Sequence, residues 1–331
     1  MTTLAPPPFA AGGNWLLTSA AAKVDLTRRL RSALNAAGLR LHAADLSPLS
    51  AAFPFADAHH LLPPLDDPQF LPTLLDLCTR EHIRVLLPTR DPELLFYARH
   101  RDVLLAAGVW PIVSDPASVE TCLDKIRFHA HCLAHGLPVL PRLENPADSD
   151  FPCFARPRTG AAGSGSGPLP SLAALRALHG PPPWPDLLLQ PLCPDPEYTL
   201  DALFAPDGAP VQWIARERLR IKAGESTISR TVAIPAFDDL VPALARTLPL
   251  FGPVTLQAFY SPRNGPRLIE VNPRTGGAAA LGFEAGLDTP ARLVALAQGD
   301  LATFLRPRPL RIGLTLLRYS QDLFLEPSPP A

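Results

Sequence analysis

The sequence predicts an α/β protein: a parallel-sheet unit comes first, followed by a region of mixed strands and helices that divides near residue 187. Three observations predict this. From Asn14 to Ser114, short apolar runs alternate with amphipathic stretches, the rhythm of a parallel sheet covered by helices on both faces. After Ser114 the rhythm changes to helices and then to longer strand-like runs joined by turn signals. The 331 residues are 47% hydrophobic and 18% charged, enough for two or three compact units with a sizeable core.

The elements follow in order. Residues 1–12 are expected to be a flexible leader. NWLLTSA reads as a buried strand, VDLTRRLRSALNAAG as a helix stopped by Gly38, and LRLHAADL as a second strand. FLPTLLDLCTREH and IRVLLPT supply a helix and a strand, and DPELLFYARHRDVLLAAG and VWPIVS another pair. DPASVETCLDKIRFHAHCLAHG reads as one or two helices closing at Gly136. FPCFARPR is a strand running into TGAAGSGSGP, a loop of small residues. DLLLQPL, EYTLDALFAPDG and APVQWIARERL are strands joined by turns, and FDDLVPALARTLPLFG is a helix. VTLQAFYSPRNGPRLIEVNPR is a hairpin, and TPARLVALAQGD is a last helix with Thr289 as N-cap and Pro290 at N1.

Composition excludes several classes. A net charge of −1 with no run of Lys and Arg leaves no electrostatic footprint for nucleic acid or an anionic membrane. No stretch of eighteen apolar residues exists to span a bilayer, and the start lacks a signal-peptide pattern. Cys78, Cys122, Cys132, Cys153 and Cys193 are scattered and odd in number, which argues against a disulfide frame or zinc knuckle and fits a reducing cytoplasm. The first strand–helix turn, TSAAAKVD, lacks the glycines of a dinucleotide fingerprint, so Asp45 reads as a capping or loop residue rather than a ribose-binding acid. Of His129, His131 and His135, only the last two share a helix face, and no Ser-His or Cys-His constellation emerges.

The hairpin carries the chemistry. A two-residue turn at Asn264-Gly265 sets Arg263 opposite Pro266, hence Gln257 opposite Asn272 and Phe259 opposite Glu270. Gln257, Glu270, Asn272 and Arg274 then share one face of the pair. An acid and two amide oxygens suit a hard divalent cation, and the guanidinium suits phosphoryl oxygens. The same alternation is also ordinary on a solvent-facing sheet, so from the residues alone both readings stand.

The stretch EVNPR at 270–274, with TGG at 275–277 and AGLDTP at 285–290, resembles the ATP-grasp ligases, especially one half of the large subunit of carbamoyl phosphate synthetase. The resemblance runs from about residue 14 to 305. It implies a pre-ATP-grasp domain at 13–113, an ATP-grasp domain of two α+β subdomains at 114–186 and 187–309, and a tail at 310–331. It implies Gln257, Glu270 and Asn272 as ligands of Mg²⁺, with Mn²⁺ as an alternative, and Arg274 as a catalytic cation. For ATP it implies Lys125 of the Asp124-Lys125 pair, Arg156 of FARPR, the lid at 160–167 with Gly160, Gly163 and Gly165, and the LLLQPL hinge with Gln190 and Leu192. Relatives often carry an acid where Gln190 stands. Glu197 matches the ribose-binding acid, with Asp201 on the same strand face, and Lys222 and Ser226 lie where relatives place polar groups near phosphate or acceptor.

The implied reaction is activation of a small carboxylate as an acyl phosphate for attack by an amine. Small-molecule substrates are then the expected partners, and a homodimer is compatible with the fold. Carbamoyl phosphate synthesis is disfavoured by the presence of one such unit. Competing readings are a non-catalytic nucleotide sensor, opposed by the retained metal set, and a nicotinamide-dependent oxidoreductase, opposed by the missing glycines.

Overall fold

A computed structural model describes residues 6–21, 23–160, 165–222 and 224–325. The first unit contains β1 (Asn14–Thr18), α1 (Val24–Ala36), β2 (Leu41–Asp45), β3 (Ala58–Leu61), α2 (Phe70–Arg80), β4 (Ile83–Pro88), α3 (Asp91–Arg99), α4 (Arg101–Ala106) and β5 (Trp110–Pro111). Its strands form a parallel sheet in the order β3-β2-β1-β4-β5. Both faces are buried, which is why its central strands are apolar without alternation. Trp15, Leu17, Val85 and Leu87 pack with Leu30 and Leu34 of α1 in one core, while Leu16 and Leu86 pack with Leu74, Leu77 and Leu94 in the other. Gly38, at φ +72, ends α1 with Leu39 N–H bonded to Leu34 O at 2.9 Å.

Three expectations are corrected here. Residues 8–12 of the expected leader form a 3-10 turn that buries Ala10 in the first core. The single helix expected after β4 is interrupted at His100. The edge strand β3 has no counterpart in the sequence reading, because its AHHL lacks the apolar signal.

The central region contains α5 (Pro116–Leu123), α6 (Lys125–Ala134), β6 (Cys153–Pro157), β7 (Gly167–Leu169), α7 (Leu172–His179) and β8 (Leu187–Pro191), with an antiparallel sheet in the order β7-β6-β8. Because β8 pairs with β6, this sheet runs to Pro191, beyond the division expected at 186/187. The remainder contains β9 (Glu197–Phe204), β10 (Pro210–Lys222), β11 (Glu225–Val232), α8 (Ala236–Ala245), β12 (Gly252–Ser261), β13 (Gly265–Asn272), the short α9 (Ala280–Gly282), α10 (Thr289–Ala297), α11 (Leu301–Leu305) and β14 (Thr315–Leu317).

Six of these strands form an antiparallel sheet in the order β13-β12-β9-β10-β11-β14. The expected tail therefore contributes β14 to the sheet edge, against β11. Helix α10 starts at Thr289 with Asp288 at the cap position, one residue earlier than expected, and no side chain caps it. Leu293, Leu296 and Phe304 of α10 and α11 close the same core as α1, so the C-terminal helices pack against the first unit through α1.

Side-chain alternation divides the six-stranded sheet. Leu200, Ala202, Val254, Leu256 and Val271 pack under Phe237, Leu240, Val241 and Leu244 of α8 and Phe128 of α6. The opposite face is polar along Thr199, Asp201, Gln257, Glu270 and Asn272 and becomes apolar at Leu203 and Ile214, which join the core shared with the first unit.

Candidate active site

The hairpin β12–β13 differs in register from the expectation, and the difference has a cause. Pro262 occupies the second position of a turn in which Asn264 N–H bonds Ser261 O at 3.3 Å, and Gly265 returns to the ladder at φ +70. Proline favours that position, so a three-residue loop replaces the two-residue Asn-Gly turn. Tyr260 faces Pro266 and Ala258 faces Leu268; a bulge then leaves Ile269 unpaired, and Gln257 faces Glu270 while Thr255 faces Asn272. Gln257 thus sits opposite Glu270, not Asn272. The slip at this point is two residues, and an even slip preserves the face. Gln257, Glu270 and Asn272 therefore still stand together.

Neighbouring strands extend this polar face. In β9, Thr199 faces Gln257 and Asp201 faces Thr255, and in β10 Arg216 faces Thr199. Gln257 Nε2 donates to Glu197 Oε1, and Asn272 Nδ2 donates to Glu270 Oε1 at 3.0 Å. Each amide thus gives its N–H to a carboxylate, and among the described residues no donor reaches its oxygen. The freed oxygens of Gln257 and Asn272, with the Glu270 carboxylate, form an all-oxygen donor set that fits a hard divalent cation such as Mg²⁺.

Arg156 of β6 reaches this face from the smaller sheet. Its Nη1 donates to Ile269 O at 3.1 Å, its Nη2 donates to Gln190 Oε1 at 2.7 Å, and Nη1 lies 3.9 Å from Glu270 Oε2. The bulge is what presents the Ile269 carbonyl. Two of the five guanidinium N–H groups are engaged by these hydrogen bonds, which leaves three for a ligand. Burial lowers the Arg156 pKa, opposed by Glu270 and Glu197. Gln190 is itself buried and donates to Leu140 O at 3.0 Å, so its amide is a strut for Arg156. Leu192, just beyond β8, is 41% exposed.

Lys125 is the first residue of α6, fixed there by Asp124, whose Oδ1 caps Ile126 and Arg127 N–H at 3.0 Å each. Lys125 Nζ donates to Gly160 O at 2.8 Å, at the start of the small-residue loop. Burial lowers its pKa, and Glu270 raises it. Asp124 also accepts from Arg158 Nε at 2.7 Å, which ties α6 to the end of β6. Gly165 takes φ +70 where the loop rejoins β7, and Gly163 lies outside the described residues.

Glu197 accepts from Arg218 as well as Gln257, and Arg218 Nε donates to Ser226 Oγ at 2.9 Å. Deeper on the face, Arg216 Nε donates to Asp201 Oδ2 at 2.9 Å in a fully buried pair. Arg274, beyond β13, holds Asp91 of α3 through both carboxylate oxygens, one of them at 3.2 Å. The expected phosphoryl cation is thereby aimed from the first unit. Thr255 Oγ1 donates to Arg274 O at 3.2 Å, and a Cβ on Gly276 would lie 2.6 Å from that hydroxyl, so only glycine lets this loop lie on the sheet. Lys222 stands exposed at the far end of β10, and no described contact joins it to Glu270 or Arg156.

Arg216, Arg218 and Asp91 were missed by the sequence reading. The alternation of Arg216, Arg218 and Arg220 in ARERLR was a legible signal for one charged strand face; Asp91 had none, because its partner is 183 residues away. Asp45 caps a loop as expected, accepting from Ala21 and Leu46 N–H at 2.5 and 2.8 Å. Beside it, Ser19, Asp66, Arg90 and Glu93 line a cleft of about 230 Å³ at the carboxyl ends of the first sheet's strands.

Residues 15–112 match the family described as "PylC-like, N-terminal domain", and residues 183–314 match "ATP-grasp in the biosynthetic pathway with Ter operon". No curated protein matches the chain by sequence. Among solved structures, a Rhizobium etli pyruvate carboxylase superposes with a TM-score of 0.70 at 16% identity, over 92% of this chain and 30% of that one. The biotin carboxylase domain of the Hydrogenobacter thermophilus 2-oxoglutarate carboxylase, solved with MgADP, ADP and bicarbonate, has a TM-score of 0.68 at 15% identity, over 92% of this chain and 73% of that one. The L-amino acid ligase from Bacillus licheniformis has a TM-score of 0.67 at 15% identity, over 90% of this chain and 78% of that one.

Proposed function

We propose that this chain, which is an ATP-grasp protein with a PylC-like N-terminal domain, is a ligase that uses ATP and Mg²⁺ to join a small carboxylic acid to an amine. The observation that carries this reading is that Gln257, Glu270 and Asn272 share one sheet face, with both amides giving an N–H to a carboxylate, beside the buried cation Arg156. Such a face matches a metal-bound triphosphate, with positive charge behind it and oxygen donors in front.

In this reading Gln257, Glu270 and Asn272 hold Mg²⁺, which when bound neutralises phosphate charge. Arg156 and Lys125 grip phosphate oxygens through donors left over from their protein contacts. The loop read as a lid at 160–167, of which residues 161–164 lie outside the described residues, is assigned to the phosphates, the backbone of Gln190–Leu192 meets the base, and Glu197, held by Arg218 and Gln257, accepts from the ribose hydroxyls. Arg274, aimed by Asp91, faces the transferring phosphoryl group.

A carboxylate oxygen of the acid attacks the γ-phosphorus, the bond to the β,γ-bridging oxygen breaks, and ADP leaves. The amine then attacks the acyl carbon, the C–O bond to phosphate breaks, and phosphate departs with one original carboxylate oxygen while the amine loses a proton to water. The cleft lined by Asp45, Asp66 and Glu93, next to the Asp91–Arg274 pair, offers acids for an amine and Arg90 for a carboxylate. Positioning and charge stabilisation suffice for both steps, which accounts for a site built without a nucleophile–base pair.

A test uses substrate labelled with ¹⁸O in the carboxylate, with pooled acids and amines first screened for phosphate release. The acid alone should permit ADP formation, hydroxylamine should trap a hydroxamate, and one label should appear in released phosphate. Coupling that leaves all label in the acid-derived product would rule out the acyl phosphate. Tight nucleotide binding with no acid-stimulated ADP release would identify a sensor instead.

A further inference from the structure

The first unit carries a second donor cluster, remote in chemistry from the oxygen set on the large sheet. His42 on β2, His60 on β3 and Glu81, immediately after α2, each offer a ligand atom, and these atoms lie within 4.8 Å of one another. His42 Nδ1 is 2.9 Å from His60 Nε2 and 4.0 Å from Glu81 Oε2. His42 is fully buried, whereas Glu81 retains access to solvent.

We propose that His42 Nδ1, His60 Nε2 and a Glu81 carboxylate oxygen bind one borderline transition-metal ion, Zn²⁺ being the type case, with water completing its shell from the solvent side. Four-coordinate zinc, with bonds of about 2.0–2.1 Å, sets its ligand atoms about 3.3 Å apart. The His42–His60 and His42–Glu81 separations, 2.9 and 4.0 Å, bracket that value, and the His60–Glu81 separation is within 4.8 Å, so side-chain adjustment closes the set. Two neutral imidazoles in this contact share a single proton; the cation takes its place between the facing nitrogens, that proton moves by tautomer exchange to the distal nitrogen of its own ring, and Glu81 is drawn inward. The donors are two nitrogens and one oxygen, a set that suits Zn²⁺, Co²⁺ or Ni²⁺ and is wrong for Mg²⁺. The two metal preferences of the chain are thereby separated by donor type.

The site has a structural consequence. β3 is a four-residue edge strand, paired among the described residues only with β2, and the three ligands come from β2, β3 and the end of α2. A bound ion therefore staples the edge of the sheet to the helix that covers it. Asp45 lies three residues further along β2, about 10 Å, so the staple supports the strand whose end lines the cleft. Coordination through Nδ1 puts the remaining proton of His42 on Nε2, which is buried and has no hydrogen-bond partner among the described residues. That cost makes the site weaker than a closed structural zinc centre.

The test is titration of the tag-free full-length chain with Co²⁺ in excess Mg²⁺, read by visible absorption, with Zn²⁺ as competitor and thermal unfolding in parallel. One equivalent should give the absorption of a low-coordinate nitrogen-ligated site, Zn²⁺ should abolish it, and the melting temperature should rise. His60→Gln and Glu81→Gln should each weaken binding at least tenfold, by analogy with losses of about 10–100-fold for outer-shell partners. His131 and His135, whose rings are 4.5 Å apart on α6, are the competing pair. His131→Ala and Glu270→Gln should leave the spectrum unchanged. No visible band, a band retained in both His60→Gln and Glu81→Gln, or a band lost in His131→Ala would overturn the assignment. Should His60→Gln fail to fold, Glu81→Gln, at a partly exposed helix end, decides alone.

Discussion

Removing the Arg156 side chain separates the role it has in the fold, holding the sheets together, from the one proposed for it, holding nucleotide. The structural cost comes from what Arg156→Ala leaves behind: Gln190 Oε1 and the Ile269 carbonyl without their donor, and Glu270 without its nearest cation. Losing a hydrogen bond from a charged donor of this kind costs about 1.5–3 kcal/mol of stability. The binding cost is distinct. A charge-assisted hydrogen bond to phosphate contributes about 1.5–3 kcal/mol, so ATP should bind roughly ten- to 150-fold more weakly. Arg156→Lys keeps the charge and loses the fork, so it should recover part of the affinity while still leaving one of the two carbonyl partners unpaired. Calorimetric titration with ATP and Mg²⁺, alongside thermal unfolding of all three proteins, measures both losses. Equal ATP affinity among folded wild type, Arg156→Lys and Arg156→Ala would refute the phosphate role and leave only the strut.

Glu270→Gln and Asn272→Asp should each reduce Mg²⁺-dependent ADP formation by at least about a hundredfold while far-UV circular dichroism stays unchanged, since both side chains face the polar side of the sheet; a variant that melts normally and turns over normally would remove the metal assignment. Asp91→Asn, which takes away the bidentate partner of Arg274, should lower kcat by roughly ten- to a hundredfold with the Kd for ATP unaltered; a loss confined to ATP affinity would place Arg274 elsewhere in the reaction. Glu93 has its carboxyl pKa raised by burial, against hydrogen bonds from Ser19 and Thr18, so the folded state keeps its proton to higher pH than the unfolded chain. Stability from this group is therefore full below the ordinary carboxylate range and is lost as pH rises through the folded value. Glu93→Gln should raise Tm at pH 8 and bring a shrinking benefit toward pH 4; a benefit independent of pH would show that the charge is not what costs stability.

What was legible in the sequence was whatever one strand or helix decides alone. The first sheet could be read because strands buried on both faces must be continuously apolar, as Trp15-Leu16-Leu17 and Val85-Leu86-Leu87 are. β3 could not, since an edge strand carrying His59 and His60 looks like a loop. The hairpin shows how a local error can be harmless: Pro262 outcompeted the Asn-Gly turn and Ile269 bulged, yet the slip was even and Gln257, Glu270 and Asn272 kept a common face. Pairings across the fold were beyond reach, as with Asp91 and Arg274, because no local signal encodes them.

The substitution at position 190 joins both kinds of information. Read from the sequence, Gln190 was only a departure from the acid that relatives carry near the adenine. In the fold its Oε1 holds Arg156 at 2.7 Å and its Nε2 holds the Leu140 carbonyl at 3.0 Å. A carboxylate there would form a buried ion pair with Arg156 and set its charge against the phosphate for the same guanidinium. The amide orients the cation while leaving its charge in the site, and the nearest balancing carboxylate, Glu270, is the one assigned to the metal. If Glu270 holds Mg²⁺ and Arg156 holds phosphate, as proposed, binding either removes the internal partner of the other, so the two should bind cooperatively as a single Mg²⁺–nucleotide complex.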